Sequence, residues 1–599
     1  MELLLLWSWV VGVALADPMD FLPELRSRQV DGAASGNVFL RRASHSSAVL
    51  NGKVYIDGGE FSYTSGKGVV IQYSSTLLSI HLSADFEPDT VIYTAIAKPS
   101  GVPDLNYAGI WVNKVSNLLY TGFAGLPSDF GDAPKISQGL WSFEPSEDGT
   151  TGTWTNLNDT TDEYFMTQPR HFAGPVTSGN GAGFFLGGKM LDNGTKVPVS
   201  GLLKYNFATK VATNSTVVGI STSGYLQLGR MQYVPNFGPA GVIIAAGGHQ
   251  LQNGPSEKYL LSFTSVQVFD PATDTWYEQT TTGDIPNGRK EYCMTGAASS
   301  NNTYEILVYA GWDGNLGTTS IAWDQAFVLS LPSFRWFKAD YQALQPRHGL
   351  TCEHIGGGQV LTIGGVDTTQ VGPDSLYDGV FNTRDAHAQG LAVFDLSSLS
   401  FKTRYMSNQT VYNLAPDVQS YYDNHDRMAD FTYAGLADIF TVENFTAAAT
   451  DDTGLGVSSS GATDSKNDSN PSSGPSDSSS DSEISAGVIA GSVVGGVAGA
   501  ALIGTNIEDV GVGEQTYCGP DGHDVLCGDV AHAEMPGQVP QKSEVVSMPQ
   551  AELPVSHSFD RPTTRGWPAP GSLYGRPPGH GSLPRAKSDD EDQMHYNSF

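Results

Sequence analysis

A short apolar run that ends in glycine recurs six times along this chain of 599 residues, and it limits what the chain can fold into. The copies are Val54-Tyr55-Ile56-Asp57-Gly58-Gly59, Leu119-Tyr120-Thr121-Gly122-Phe123, Phe184-Phe185-Leu186-Gly187-Gly188, Ile243-Ile244-Ala245-Ala246-Gly247-Gly248, Leu307-Val308-Tyr309-Ala310-Gly311-Trp312 and Val360-Leu361-Thr362-Ile363-Gly364-Gly365. Their leading glycines stand at 58, 122, 187, 247, 311 and 364, in steps of 64, 65, 60, 64 and 53. A period of this size is the mark of a repeat architecture, in which no unit can bury its apolar faces alone.

Each unit opens on a basic residue, often beside a histidine: Arg42 with His45, Arg170-His171, Arg230, Arg289 and Arg347-His348. The apolar run follows, four or five residues bounded by turn formers, which fits a strand buried on both faces. Glycine pairs permit positive φ and close backbone approach. A later strand carries an aromatic and then a turn, as in Val266-Gln267-Val268-Phe269-Asp270-Pro271-Ala272-Thr273-Asp274-Thr275-Trp276, where Pro271 suits position i+1 of a type I turn. Trp154, Trp276 and Trp336 recur behind such turns and are placed to fill the space between neighbouring sheets. Sheets with two buried faces must stack on like sheets, and radial repetition does this without leaving long exposed edges.

The basic residue, the double glycine and the spaced aromatic and tryptophan resemble the kelch family of β-propellers over about 400 residues. The blade-defining positions under this resemblance are Gly58, Gly59, Gly122, Gly187, Gly188, Gly247, Gly248, Gly311, Gly364 and Gly365, with Trp154, Trp276 and Trp336. The resemblance implies an all-β kelch-type β-propeller of six blades, with a degenerate seventh as the alternative. At Gly122-Phe123 and Gly311-Trp312 the second glycine reads as replaced. The period exceeds the roughly 50 residues of kelch repeats, so long connections between strands are expected.

The ends of the chain add a membrane layout. Residues 1–16 read as a signal peptide, with an apolar stretch from Leu3 and a small-x-small site at Ala14-Leu15-Ala16, although Glu2 stands where a basic residue is usual. Residues 17–40 form a lead-in able to supply a ring-closing strand, and 41–440 the propeller; 410–440 is the other source of such a strand. Residues 441–483 form a stalk whose 451–483 part holds twelve serines, seven acids and one lysine, too little apolar surface to offset ordering entropy. Residues 484–504 are uncharged and long enough to cross a bilayer as one helix. Gly487, Gly491, Gly495 and Gly499 share one face of it, which permits pairing into a homodimer. A Gly/Ala linker is the alternative, and no basic cluster follows the span. Residues 505–599, with eleven prolines, read as a disordered tail in which Cys518 and Cys527 lack zinc-site spacing. This layout resembles fungal cell-surface kelch proteins, a likeness strengthened by Phe39-Leu40-Arg41-Arg42-Ala43-Ser44-His45, Tyr421-Tyr422-Asp423 and Leu436-Ala437-Asp438-Ile439-Phe440.

A net charge of −31 disfavours a nucleic-acid partner, since no basic cluster is present to neutralise phosphates. Four cysteines exclude a disulfide scaffold. Cys293 and Cys352 follow Arg289 and Arg347 by four and five residues, so neighbouring blades can bring them together; a bridge and two buried thiols are both open. Sequons stand at Asn158, Asn193, Asn214, Asn301, Asn408, Asn444 and Asn467, all before residue 484.

The chemistry-bearing residues form no catalytic constellation. His45, His171 and His348 read as one recurring structural position rather than a metal set, and no cofactor is expected. Copper-radical oxidases share a kelch-like propeller, but here no histidine directly follows a tyrosine, and Tyr292-Cys293 is only an adjacent pair. Ser146-Glu147-Asp148-Gly149-Thr150-Thr151-Gly152-Thr153-Trp154 lacks the spacing of a sialidase Asp-box. The expected function is a single-pass cell-surface glycoprotein whose extracellular propeller binds a protein or glycan without catalysis. An extracellular propeller enzyme and an intracellular scaffold for polarity or signalling are the alternatives.

Overall fold

Each of the six apolar runs forms the second strand of an antiparallel sheet. The computed structural model describes residues 38–445, apart from 129, 131–138, 159–162, 218–225, 252–257, 322, 370 and 372–376. The expected signal peptide, the expected stalk beyond residue 445, the span with its four spaced glycines, the tail, Asn467, Cys518 and Cys527 lie outside the described residues, whereas 441–445, expected to open the stalk, pack on the sheets. Among the described residues no helix is long and apolar enough to cross a membrane.

The first sheet runs Ser46–Leu50, Lys53–Asp57, Thr76–His81, Thr94–Ala97, each strand beside the one before it. The second runs Trp111–Asn113, Leu118–Thr121, Trp141–Pro145, Gly152–Asn156, and the third Val176–Gly179, Ala182–Leu186, Leu202–Asn206, Ala212–Ser215. The fourth is Arg230–Val234, Val242–Ala246, Ser265–Asp270, Thr275–Thr280. The fifth, Cys293–Ala298, Tyr304–Tyr309, Ala326–Leu331, Arg335–Lys338, gains a parallel edge strand Thr282–Gly283. The sixth is Thr351–Gly356, Gln359–Ile363, Leu391–Asp395, Ser400–Lys402. The first strand of each sheet neighbours that of the next, and Thr351–Gly356 neighbours Ser46–Leu50, so the sheets close on themselves.

Second strands are buried along almost their whole length, as their apolar runs require, with Leu118 half-buried. Their alternate side chains face opposite neighbours. Tyr55 thus packs with Leu119 and Phe143 of the second sheet, whereas Val54 and Ile56 pack with Leu361 and Ile363 of the sixth. Every other pair of consecutive sheets shares an apolar cluster in the same way. Trp154 and Trp276 lie half-buried against Phe143 and Phe269, and Trp336 is fully buried against Phe263.

Long connections account for the stretched period. In the first, third and fourth units the link between second and third strands is itself a hairpin: Glu60–Ser65 with Gly68–Tyr73, Lys189–Asp192 with Thr195–Pro198, and His249–Leu251 with Lys258–Leu260. Each hairpin pairs with a short strand leading into the same unit, namely Phe39–Ala43, His171–Phe172 and Leu226–Gln227. These small sheets and the links from one large sheet to the next emerge at the glycine end of the strands.

The opposite end is crossed by residues 403–445. Tyr405 exchanges backbone hydrogen bonds with Phe86, Gln409 donates to Gly357 O at 2.7 Å, Ser300 donates to Tyr412 O at 2.9 Å, and Gly238 donates to Val442 O at 2.9 Å. The strap therefore touches the turns of the first, sixth, fifth and fourth sheets. Its helices, Pro416–Asn424 and Ala434–Thr441, bury Val418 in the cluster between the fifth and sixth sheets and Leu436, Ile439 and Phe440 in that between the fourth and fifth. Neither Phe39–Ala43 nor the strap adds a strand to the sixth large sheet.

Candidate functional site

The site is built on six residues with left-handed backbone, one before the first strand of each large sheet, which is the inner strand of the ring. They are Ser44 (φ 61°), Tyr107 (50°), Ala173 (58°), Leu228 (55°), Glu291 (55°) and Gly349 (69°). Each N–H donates to the carbonyl of the preceding one. Tyr107 bonds Ser44 at 2.9 Å, Ala173 bonds Tyr107 at 3.2 Å, Leu228 bonds Ala173 at 2.7 Å, Glu291 bonds Leu228 at 3.0 Å and Gly349 bonds Glu291 at 2.9 Å. Ser44 then bonds Gly349 at 3.0 Å and completes a ring of six. Left-handed backbone costs a non-glycine residue of the order of 1 kcal/mol or more; here each such residue gains a buried backbone hydrogen bond.

A second set of bonds runs outside the first. Gly59 donates to Leu105 O (3.0 Å), Gly125 to His171 O (2.7 Å), Gly188 to Leu226 O (2.8 Å), Gly248 to Arg289 O (2.8 Å), Gly311 to Arg347 O (2.9 Å) and Gly365 to Arg42 O (2.7 Å). Gly311 is thus the second member of its pair, and Ala310, at φ 65°, occupies the first. This corrects the reading of Gly311-Trp312: alanine has replaced the leading glycine, not tryptophan the trailing one. In the second unit the donor moves to Gly125, three residues beyond Gly122.

The rings also sort the basic residues. Arg42, Arg289 and Arg347 stand two residues before the left-handed position of their units. Arg289 donates to Ala310 O at 2.8 Å and lies over the Trp323 ring at 4.7 Å. Arg347 donates to Gly364 O at 3.1 Å and pairs with buried Asp385 at 2.8 Å, with Arg41 3.8 Å away on the same carboxylate. Arg170 stands three before and reaches back to Gly122 O at 2.8 Å. Arg230, however, follows Leu228 by two and sits on the inner strand. Likewise His45, His171 and His348 fall one after, two before and one before the left-handed residue. The single recurring position expected for Arg230 and for the histidines is therefore not observed; unequal spacing from the glycine runs conceals the offsets.

Inside the rings lies a cavity of about 150 Å³. All six left-handed residues line it, with His45 next to Ser44 and Arg230, Met231, Met294, Thr351 and Glu353 from the inner strands. The Arg230 guanidinium spans from the fourth unit to the sixth, donating to Gly229 O at 3.1 Å and Leu350 O at 3.3 Å. Burial disfavours its charge, an effect Tyr292 and Glu291 oppose. Burial pushes the Glu291 carboxyl up, but His348, bonded at 2.6 Å, together with Lys290 and Arg230, overrides this and holds it at about 2. Trp312 stacks on His348, ring centres 4.4 Å apart, and Lys290 Nζ lies 4.5 Å from the centre of the Trp312 ring. His45 is kept well below its usual value by burial and by Arg42 and Arg230, so it faces Thr351 Oγ1 (2.8 Å) as a neutral ring. Glu353 accepts from Ser47 Oγ at 2.7 Å. The void beside Gly122 and Tyr164, about 10 Å³, admits no more than a water.

Cys293 and Cys352 also line the cavity and are bonded to each other, Cα atoms 5.5 Å apart, tying the inner strands of the fifth and sixth sheets. Cys293 is thereby withheld from a cross-link to tyrosine, and the Tyr292 hydroxyl donates to Ala246 O at 2.5 Å. Among the described residues no three His, Cys, Asp or Glu side chains converge as metal ligands. Asn193, Asn214, Asn301 and Asn408 are exposed. Asn158 and Asn444 are half-buried, with Asn158 Oδ1 accepting from Leu140 N at 3.0 Å and Asn444 Nδ2 donating to Gly238 O at 2.5 Å.

An all-β assembly of antiparallel sheets, entered through arginines and closed by glycine pairs, is consistent with a kelch β-propeller. The chain is 26% identical over 407 residues to a kelch repeat-containing protein of Arthroderma benhamiae, a match that spans 61% of this chain and 57% of that protein. This similarity supports a kelch family. The chain thus spans under two thirds of that relative. No family model matches it. The solved structure of YjhT superposes on 61% of the chain and 97% of its own, with 12% identity and a TM-score of 0.40.

Proposed function

We propose that the six sheets are the blades of a six-bladed kelch propeller, and that this propeller is the extracellular, non-catalytic binding domain of a single-pass surface glycoprotein. The observation that carries the reading is the concentration of long connections at one end of a closed ring. Three hairpins and all the inter-sheet links stand there, and loops on a rigid scaffold are where partner recognition usually resides. A protein or glycan is the ligand class such a broad, uneven end suits. The Cys293–Cys352 bond agrees with an oxidising compartment, and Asn193, at the tip of the Lys189–Pro198 hairpin, is open to a glycan. Residues 1–16 and 484–504 supply the entry signal and the anchor in this reading, with the glycine face of the span pairing two copies.

The test is expression of the full tagged chain in a secretory host, with surface labelling of intact cells and glycosidase digestion. The expected product is labelled at the surface and loses mass on digestion, and Asn193→Gln removes part of that shift. A cytosolic product unchanged by glycosidase would sink the surface reading and favour the intracellular scaffold.

A further inference from the structure

The central cavity has features that ring closure alone does not require. Arg230 carries five N–H donors, of which two are used, both on backbone carbonyls. No carboxylate of the described residues lies within ion-pair distance of it. By contrast Arg347 has Asp385 at 2.8 Å. The acid that most influences Arg230, Glu291, is committed to His348. A buried guanidinium without an acid partner is costly unless something supplies the missing charge. Arg230 is a half-buried residue that lines the cavity, which brings its remaining donors toward an occupant.

The cavity is large enough for one. Its 150 Å³ is about ten times what a single water needs. Its wall is chemically sided. Arg230 provides a fork matched to a carboxylate, the Glu353 carboxylate, which accepts from Ser47, lines the cavity from another strand, and Met231 and Met294 give an adaptable apolar surface. We propose that this cavity binds a small organic acid that carries a hydrogen-bond donor next to its carboxylate, the acid seated on Arg230 and the donor turned toward Glu353. A 2-hydroxy acid and an α-amino acid share that chemistry. The site differs from the outer end that would meet a macromolecule, and it does not depend on where in the cell the chain resides.

Ligand-detected NMR and calorimetry on the full chain, with glycolate, glycine, acetate and acetamide as probes up to about 10 mM, test this. Glycolate or glycine, whichever matches the donor, should bind saturably. Acetate should bind about tenfold more weakly and acetamide not at all. Arg230→Gln should abolish binding of the acids while retaining the wild-type circular dichroism spectrum. Glu353→Gln, which keeps an acceptor but loses its charge, should reduce the advantage of the donor-bearing acid over acetate. If Arg230→Gln does not fold, the acetamide control and Glu353→Gln still decide. Equal binding of acetate and acetamide, unchanged binding in Arg230→Gln, or no saturable binding by any probe would overturn the proposal and leave Arg230 as a structural tie across the channel. None of these outcomes bears on surface display, so failure here is separable from failure of the surface-protein reading.

Discussion

At the scale of single residues, the trailing and the leading position of the glycine pairs obey different constraints. Gly59 has φ 74°, and a Cβ there would stand 2.6 Å from both Ala43 O and His45 N, which are backbone atoms that cannot rotate away. Gly59→Ala should therefore lower unfolding free energy by about 2–3 kcal/mol, adding collision to left-handed strain. Ala310 already tolerates φ 65°. Ala310→Gly relieves about 1 kcal/mol of strain but adds a comparable entropy to the unfolded chain, so the net change should be within about 1 kcal/mol. Urea unfolding of both variants checks this; equal losses would mean the glycine pairs serve no steric purpose. The glycine runs made the repeat legible, since glycine is needed where backbone meets backbone. The left-handed ring was not legible, because Ser44, Tyr107, Ala173, Leu228, Glu291 and Gly349 share a conformation but no side-chain chemistry. That absence of a shared signal also let Arg230 pass for a blade-entry arginine.

At the scale of elements, the strap meets the fifth sheet around a buried acid. Glu305 is fully buried; its Oε1 accepts from Thr303 Oγ1 at 2.6 Å and Ser330 Oγ at 2.7 Å. Tyr412 and Tyr422 of the strap complete the surround, with Tyr422 OH 2.8 Å from Ser330 Oγ, and Arg427 acts from farther off. Burial raises the carboxyl to about 8, against the opposing pull of these hydroxyls and Arg427. The folded form thus holds the proton more tightly than the unfolded chain. This contribution is complete below the ordinary value of 4.5, declines as pH rises and is gone above about 8, at up to about 1.4 kcal/mol per pH unit. Glu305→Gln should flatten that part of the stability profile and slow exchange of strap amides at mildly alkaline pH. Parallel profiles for the two proteins would show that Glu305 does not govern the strap. The strap itself was only half legible. Leu436, Ile439 and Phe440 are spaced to bury one helix face, but nothing in a single sequence says which sheets that face meets.

The disulfide belongs to the same scale, since it ties two sheets whose cysteines lie 59 residues apart. Loop-closure entropy for such a separation is about 4 kcal/mol in the chain-entropy model. Cys352→Ser should lower the urea midpoint accordingly and remove its sensitivity to reductant. A midpoint that is insensitive to reductant in the wild type would mean that the bond contributes nothing. Sequence offset brought the pair into view, because both cysteines follow an entry arginine. Only the register of the fifth and sixth inner strands brings their Cα atoms within bridging distance.

At the scale of the whole molecule, the join between first and sixth sheets decides whether the ring behaves as one body. No strand is exchanged there. The join includes the apolar cluster around Val54, Ile56, Leu361 and Ile363, the bonds from Gly365 to Arg42 O, from Asp385 to Leu40 O (2.8 Å) and from Ser44 to Gly349 O, the His45–Thr351 and Ser47–Glu353 contacts, and the Arg347–Asp385–Arg41 group. Asp385→Asn removes the one negative charge shared by two buried arginines, and breaking such a pair from one side costs about 3–5 kcal/mol. Opening this join exposes the inward faces of two sheets at once, and every other cluster is shared between sheets in the same way, so the loss cannot stay local. Asp385→Asn should therefore unfold in one transition at lower temperature, with amide protection falling across all six sheets together. Shortening the Lys189–Pro198 hairpin, which touches no shared cluster, should leave that transition in place. If Asp385→Asn instead melts in two steps, with the second to fifth sheets protected through the first, closure is not what holds the sheets together.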